Sequence, residues 1–232
     1  MRFSSRSGSH EHPSPEDVEA WSRRRSVPEN EAPAGLDFSV VLGRSDDTAI
    51  CVTGFRVYST GLAFTLSVRL RRELDHARVR DFYDLLSHGH GPAGGRDAGD
   101  RLLLGLEYAD GRTATNLNPD RGPRVGAGDA ESFIPTLVTG GGGGGGRSYD
   151  QDWWLTPLPP AGPLRFICRW PGFGIAESQT VLDGTKITEA LARVQTLWPW
   201  QPTEPEPDFE SVEPEVPADG WFAQALGRRL DG

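Results

Sequence analysis

The stretch Leu62 to Arg71 constrains the fold more than any other. Leu62, Phe64, Leu66, Val68 and Leu70 alternate with Ala63, Thr65, Ser67, Arg69 and Arg71. Strand side chains point to opposite faces with a period of two, so this pattern describes a strand with one dry and one wet face. That arrangement belongs to antiparallel sheets. Neighbouring stretches repeat it. Leu36, Phe38 and Val40 alternate ahead of a turn at Ser45-Asp46-Asp47. Thr48 to Ser59 reads as a strand with Cys51, Thr53, Phe55 and Val57 on one face and Ile50, Val52, Arg56 and Tyr58 on the other. Leu102, Leu104, Leu106 and Tyr108 lead into Asp110-Gly111, a two-residue hairpin signal, with Arg112 to Leu117 returning. Phe133 to Thr139, Ser148 to Thr156, Leu164 to Trp170 and Ile175 to Leu182 complete the strands. Two helices are expected. One follows Asp75 as N-cap, with Val79, Phe82 and Leu86 on one face and Gly89 at its end; the other spans Thr185 to Leu197, with Ile187, Leu191, Val194 and Leu197 on one face. Many short strands with Gly/Pro turns predict an antiparallel β-sandwich or jelly-roll-like domain over residues 35–200.

Charge is distributed unevenly along the chain. Residues 1–34 hold 5 arginines and 6 acids, residues 35–200 hold 17 basic and 19 acidic residues, and residues 201–232 hold 2 and 8. The first segment, rich in Ser, Arg, Glu and Pro, reads as a disordered arm. Residues 201–219 combine five prolines with seven acids and read as an acidic, extended linker. Residues 220–232 read as a short amphipathic docking segment presenting Trp221, Phe222 and Leu226. With a net charge of −9 and a balanced body, the chain lacks the basic surface of a nucleic-acid binder. No apolar run is long enough to span a membrane. Cys51 and Cys168 sit in strand-like runs and read as reduced, buried thiols. No targeting signal is recognisable, and the expected location is cytoplasmic.

Seven consecutive glycines, Gly140 to Gly146, precede Arg147-Ser148-Tyr149-Asp150-Gln151-Asp152-Trp153-Trp154. The run lacks the Gly-Lys-Ser/Thr ending of a phosphate-binding loop, and a strand rather than a helix follows. A close-packed or flexible hairpin loop is expected. Alternation then sets Tyr149, Gln151 and Trp153 on one face and Asp150, Asp152 and Trp154 on the other. One tryptophan is expected in the core and the other exposed or half exposed. An acid-plus-aromatic surface suits sugar hydroxyls or an Arg-bearing partner. Arg147, Tyr149, Asp150, Asp152 and Trp154 are therefore the candidate ligand-binding residues.

No nucleophile elbow, metal-binding helix or nucleotide fingerprint is recognisable, so no catalytic residue, metal or cofactor is assigned. His76, His88 and His90 read as solvated loop residues. The reading that follows is a non-catalytic binding or scaffolding module that engages a protein partner through its tail and the glycine-rich region. The alternatives are a carbohydrate-active hydrolase using Asp150 or Asp152 with a distant acid such as Glu107, or a structural subunit of a larger assembly.

The runs GGGGGGRSYDQDWWLTPLPPAGPLRFICRWPGFGI, YSTGLAFTLSVRLRR and YADGRTATN resemble a family of uncharacterised actinobacterial proteins from high-GC Gram-positive bacteria. The resemblance covers about residues 36–198 and implies one structural unit. It carries over no activity, ligand or functional residue. Lys186 is the only lysine, and an arginine-rich composition fits a high-GC source.

Overall fold

The computed structural model describes residues 24–75, 78–79, 82, 100–117 and 134–201. The chain divides between Trp200 and Gln201, and the body described here is the first unit. The expected linker and docking segment lie outside the described residues. Among the described residues twelve strands run in chain order: β1 Glu31–Ala32, β2 Ala34–Gly35, β3 Val40–Arg44, β4 Thr48–Val57, β5 Leu62–Leu70, β6 Leu103–Glu107, β7 Thr113–Thr115, β8 Thr136–Gly145, β9 Ser148–Thr156, β10 Pro163–Trp170, β11 Ile175–Asp183 and β12 Gln195–Thr196. Helix α1 (Thr185–Ala190) follows β11. Among the described residues no helix is long and apolar enough to cross a membrane.

The strands build a mainly β, antiparallel sandwich. One sheet has the order β2-β4-β5-β9-β8, with β3 also pairing β4; the other has the order β11-β10-β6-β7. Leu62, Phe64, Leu66 and Val68 of β5 are fully buried between the sheets, as the alternation requires. Phe166 of β10 joins the layers, its ring centroid 5.6 Å from Phe64 and 6.3 Å from Phe55. Leu104, Leu106 and Tyr108 supply the facing layer. The Tyr108 hydroxyl donates to the Pro157 carbonyl at 2.5 Å, so this buried phenol is not left unpaired. Asp75 caps the segment after β5: its carboxylate accepts from the Arg78 N–H at 2.9 Å. Phe82 beyond it packs edge-on to Tyr149.

Four expectations change. The face assignment of β4 fails because Gly54, at φ +60°, sits in a bulge between Thr53 and Arg56. The extra residue reverses the alternation. Ile50 and Val52 point inward before it, and Phe55 and Val57 point inward after it. The helix from Thr185 is shorter than expected. It gives way to a 3-10 turn at Leu191–Arg193, and Val194 is extended at ψ 133°, which frees Gln195 and Thr196 to pair with β1. Leu191 and Leu197 are consequently exposed. Residues 24–34 belong to the body rather than to a disordered arm. Glu31 and Ala32 form β1, and the Arg24 carbonyl accepts from the Trp154 indole at 2.7 Å.

The glycine run is the fourth difference. Gly140 to Gly145 are strand, not loop, and only Gly146 and Arg147 turn the chain. Gly146 holds φ +61°, as the first position of a two-residue hairpin turn requires. A Cβ on Gly142 would stand 3.0 Å from the Asp150 carbonyl oxygen; one on Gly144 would collide with the Ser148 carbonyl and stand 2.6 Å from the Tyr149 Cα. These two glycines let β8 approach β9 more closely than any side chain allows. Gly141, Gly143 and Gly145 are different, since a Cβ there would meet nothing within 4 Å.

Alanine substitutions should separate the two sets. Gly144→Ala is expected to lower stability by about 1–3 kcal/mol, the usual range for overpacking, whereas Gly143→Ala should be neutral or stabilising by about 0.4–1 kcal/mol, both read from urea unfolding midpoints. The thiols give a second expectation. Cys51 and Cys168 are both free, and Cys168 is fully buried. Burial pushes the Cys168 thiol from 9.0 up to about 12. Its contribution to stability is complete below pH 9 and is lost as pH rises toward 12, because the unfolded thiol ionises first. A thiol-reactive disulfide at pH 8 should label Cys51 in the native chain and both thiols in urea. Native Cys51→Ser should then show no labelling.

Candidate functional site

The surface around β9 is fixed by the register of β5 against it. Leu66 pairs with Gln151 and Val68 with Tyr149, which places Thr65 opposite Asp152 and Ser67 opposite Asp150. Directly opposite residues share a face. The inward side of β5 therefore turns Tyr149, Gln151 and Trp153 toward the core and Asp150, Asp152 and Trp154 away from it.

Both carboxylates are held in cross-strand networks. Asp150 Oδ1 accepts from the Ser67 hydroxyl at 2.6 Å and from Arg69 Nη1 at 2.8 Å, and its Oδ2 lies 3.4 Å from Arg69 Nη2. The Arg69 hydrogen bond, aided by that from Ser67 and opposed by slight burial, holds the Asp150 carboxyl below the usual carboxylate range. Asp152 Oδ1 accepts from the Thr65 hydroxyl at 2.8 Å and lies 3.4 Å from Arg56 Nη2. Asp152 Oδ2 has no hydrogen-bond partner among the described residues. The two side chains remain 49% and 54% exposed, so both are reachable from solvent on an open sheet face.

The structure does not gather all five candidate residues. Arg147 is exposed in the hairpin turn, and its carbonyl accepts from the Leu70 N–H at 2.8 Å. Tyr149 lies on the inner side, half-buried against Phe82. Trp154 is no exposed platform, because both tryptophans are buried: Trp153 in the main core and Trp154 in a small cluster on the outer face. That cluster packs Trp154 with Tyr58 and Ala63 under Val27 and Val138. A Cβ on Gly61 would stand 2.6 Å from the indole ring, so glycine there makes room for it. Sugar stacking on Trp154 is thereby closed off.

Glu107 is remote from these acids. It lies on β6 of the other sheet, alternates with the buried Leu106, and pairs with Arg165 Nη1 at 2.5 Å. The two outward faces of the sandwich cannot bring Glu107 and Asp150 to one substrate. His76, His88, His90, Trp221, Phe222 and Leu226 lie outside the described residues. Among the described residues no group of three His, Cys, Asp or Glu side chains could hold a metal.

What the sequence pattern missed is the sheet edge itself. β8 ends its sheet, and Gly140 to Gly145 are all exposed. In an antiparallel ladder alternate residues turn both N–H and C=O away from their neighbour. On β8 these groups face outward with no strand beside them among the described residues. Natural edges are usually blunted by charge, proline or cover; this run has neither charge nor proline. Gly143 pairs directly with Asp150 and Gly145 with Ser148. The open positions 143 and 145 therefore lie on the same face as the carboxylates, while a bulge between Thr139 and Gly142 interrupts the phase at Gly141.

Asp150 should titrate below an ordinary aspartate, and Arg69→Gln should move its midpoint up toward the ordinary value, read from the carboxyl carbon by NMR. Because the folded value is the lower one, the stability it contributes is present above the unfolded value. It is lost as pH falls through the folded value. The Arg69→Gln chain should show a shallower loss of stability over that acid range.

No family model, curated protein or solved structure matches this chain.

Proposed function

We propose that the protein is a non-catalytic binding or scaffolding module that engages a protein partner through the β8 edge and the adjoining face of β9. Trp221, Phe222 and Leu226 of the tail form a second contact in this reading. One observation carries it. Gly141, Gly143 and Gly145 have open space where a side chain would stand, and none has the left-handed backbone that demands glycine. Glycine inside a strand costs roughly 0.5–1 kcal/mol relative to alanine. Packing explains Gly142 and Gly144 but not these three. A strand kept bare at positions where the fold accepts side chains suits close approach by another backbone. Two free thiols suit a reducing compartment, so the proposed location is cytoplasmic.

The test uses four full-length baits cross-linked in a native extract: the wild type, Gly141→Lys/Gly143→Lys, Trp221→Ala/Phe222→Ala/Leu226→Ala, and the two sets combined. Lysine fits both glycine sites sterically and blunts an edge. Partners of the wild type should fall at least tenfold on the lysine bait and fall further when both sets are combined. Identical partner sets on all baits would remove the reading.

A further inference from the structure

We infer that the segment added to β8 is an extended peptide with basic residues at alternate positions. This rests on the protein-binding reading above and names its partner chemistry. An added strand would lie about 4.8 Å beyond β8 and about 10 Å from β9. Its outward side chains would cross the bare positions at Gly143 and Gly145, where a Cβ would meet nothing within 4 Å. Beyond Gly143 stands Asp150, and Asp152 follows two residues along the same face of β9, beside Gly140. Lysine and arginine have the long stems and cationic heads to reach those carboxylates from a strand away. Strand periodicity converts the Asp150–Asp152 spacing into an i, i+2 spacing of cations on the ligand.

The receiving oxygens are available. Asp152 Oδ1 holds both of its hydrogen bonds, which leaves Oδ2 to the newcomer. Asp150 Oδ2 has only the long contact to Arg69 at 3.4 Å.

Other occupants fit less well. Residues 201–219 of the same chain carry seven acids and five prolines; proline has no N–H for a ladder, and the acids would face acids. A second copy would set glycine against glycine. No side chain would then reach either carboxylate, and six glycines fall far short of the roughly 1,200 Å² of a stable interface.

The experiment measures fluorescence anisotropy of capped, labelled hexapeptides with the full-length protein at low salt. The probes are an alternating Arg-Val peptide, its Glu-Val and Thr-Val counterparts, and the Arg-Val peptide N-methylated at alternate residues. Amide hydrogen exchange of Gly140 to Gly145 is followed in parallel. The Arg-Val peptide should bind at least tenfold more tightly than the other three and slow exchange along β8. Asp150→Asn/Asp152→Asn should weaken it at least fivefold. Gly143→Glu should tighten it and Gly143→Lys weaken it, and both substitutions stand in open space should the double asparagine variant fail to fold. Equal binding by the N-methylated peptide would overturn strand addition. Equal binding and equal glycine protection by the Glu-Val or Thr-Val peptide would overturn the basic preference while leaving the protein-binding reading intact. No response to either Gly143 variant, or a dimer that protects the glycine amides without peptide, would also overturn the proposal.

Discussion

Burial on both sides of β5 sets everything else in the sandwich. Leu62, Phe64, Leu66 and Val68 are sealed on the inner side, and Ala63 and Ser67 are nearly so on the outer. Each large apolar side chain removed from water contributes roughly 1.5–3 kcal/mol. A one-residue slip against β9 would turn the inner four outward at once, so the register is strongly specified. That register alone places Ser67 and Arg69 where they can bind Asp150, and Thr65 where it can bind Asp152. The polar face of β9 is thus a consequence of the apolar face of β5.

The elements legible in the sequence are those whose outcome depends only on their own alternation. β5, β9 and the run Leu102 to Tyr108 belong here, since one period of two decides which side chains face the main core along each. β4 was legible as a strand but not in its second half. Gly54 shifts the phase, and a glycine in a strand does not announce whether it bulges. The Thr185 helix illustrates a different limit. Ile187, Leu191, Val194 and Leu197 carry a helical period, yet β1 competes for Gln195 and Thr196 through long-range pairing. Tertiary contact overrode the local preference.

The candidate site was half legible for the same reason. Alternation identified Asp150 and Asp152 as outward neighbours on one strand. It could not identify Arg56, Arg69, Thr65 and Ser67 as their partners, because cross-strand register is a property of two segments and not of one. Trp154 was misjudged because an outward position is not always a wet one. Val27 and the Arg24 carbonyl come from upstream to cover it, and nothing near Trp154 in sequence signals that strap. A run of identical glycines carries no alternation, so its own residues cannot signal a strand. With β9 already fixed by β5, a hairpin partner of no side-chain bulk can still complete the ladder.

The bareness of β8 also determines what kind of recognition it can support. A strand laid along glycines gains main-chain hydrogen bonds, each worth about 0.5–1.5 kcal/mol net. It must offset the entropy of ordering an extended chain, about 1–2 kcal/mol per residue. Backbone pairing alone therefore leaves little affinity and no selectivity, since every sequence but proline can offer the same groups. Selectivity has to come from side chains beyond the edge strand. On β8 the nearest are the carboxylates of β9, exposed across positions where no Cβ intervenes. Side chains on β8 would stand between ligand and carboxylates, and a β9 without acids would make the opening pointless. In the proposed recognition the glycines and the aspartates form one device, in which an empty strand lets a charged neighbour act at a distance of two strands.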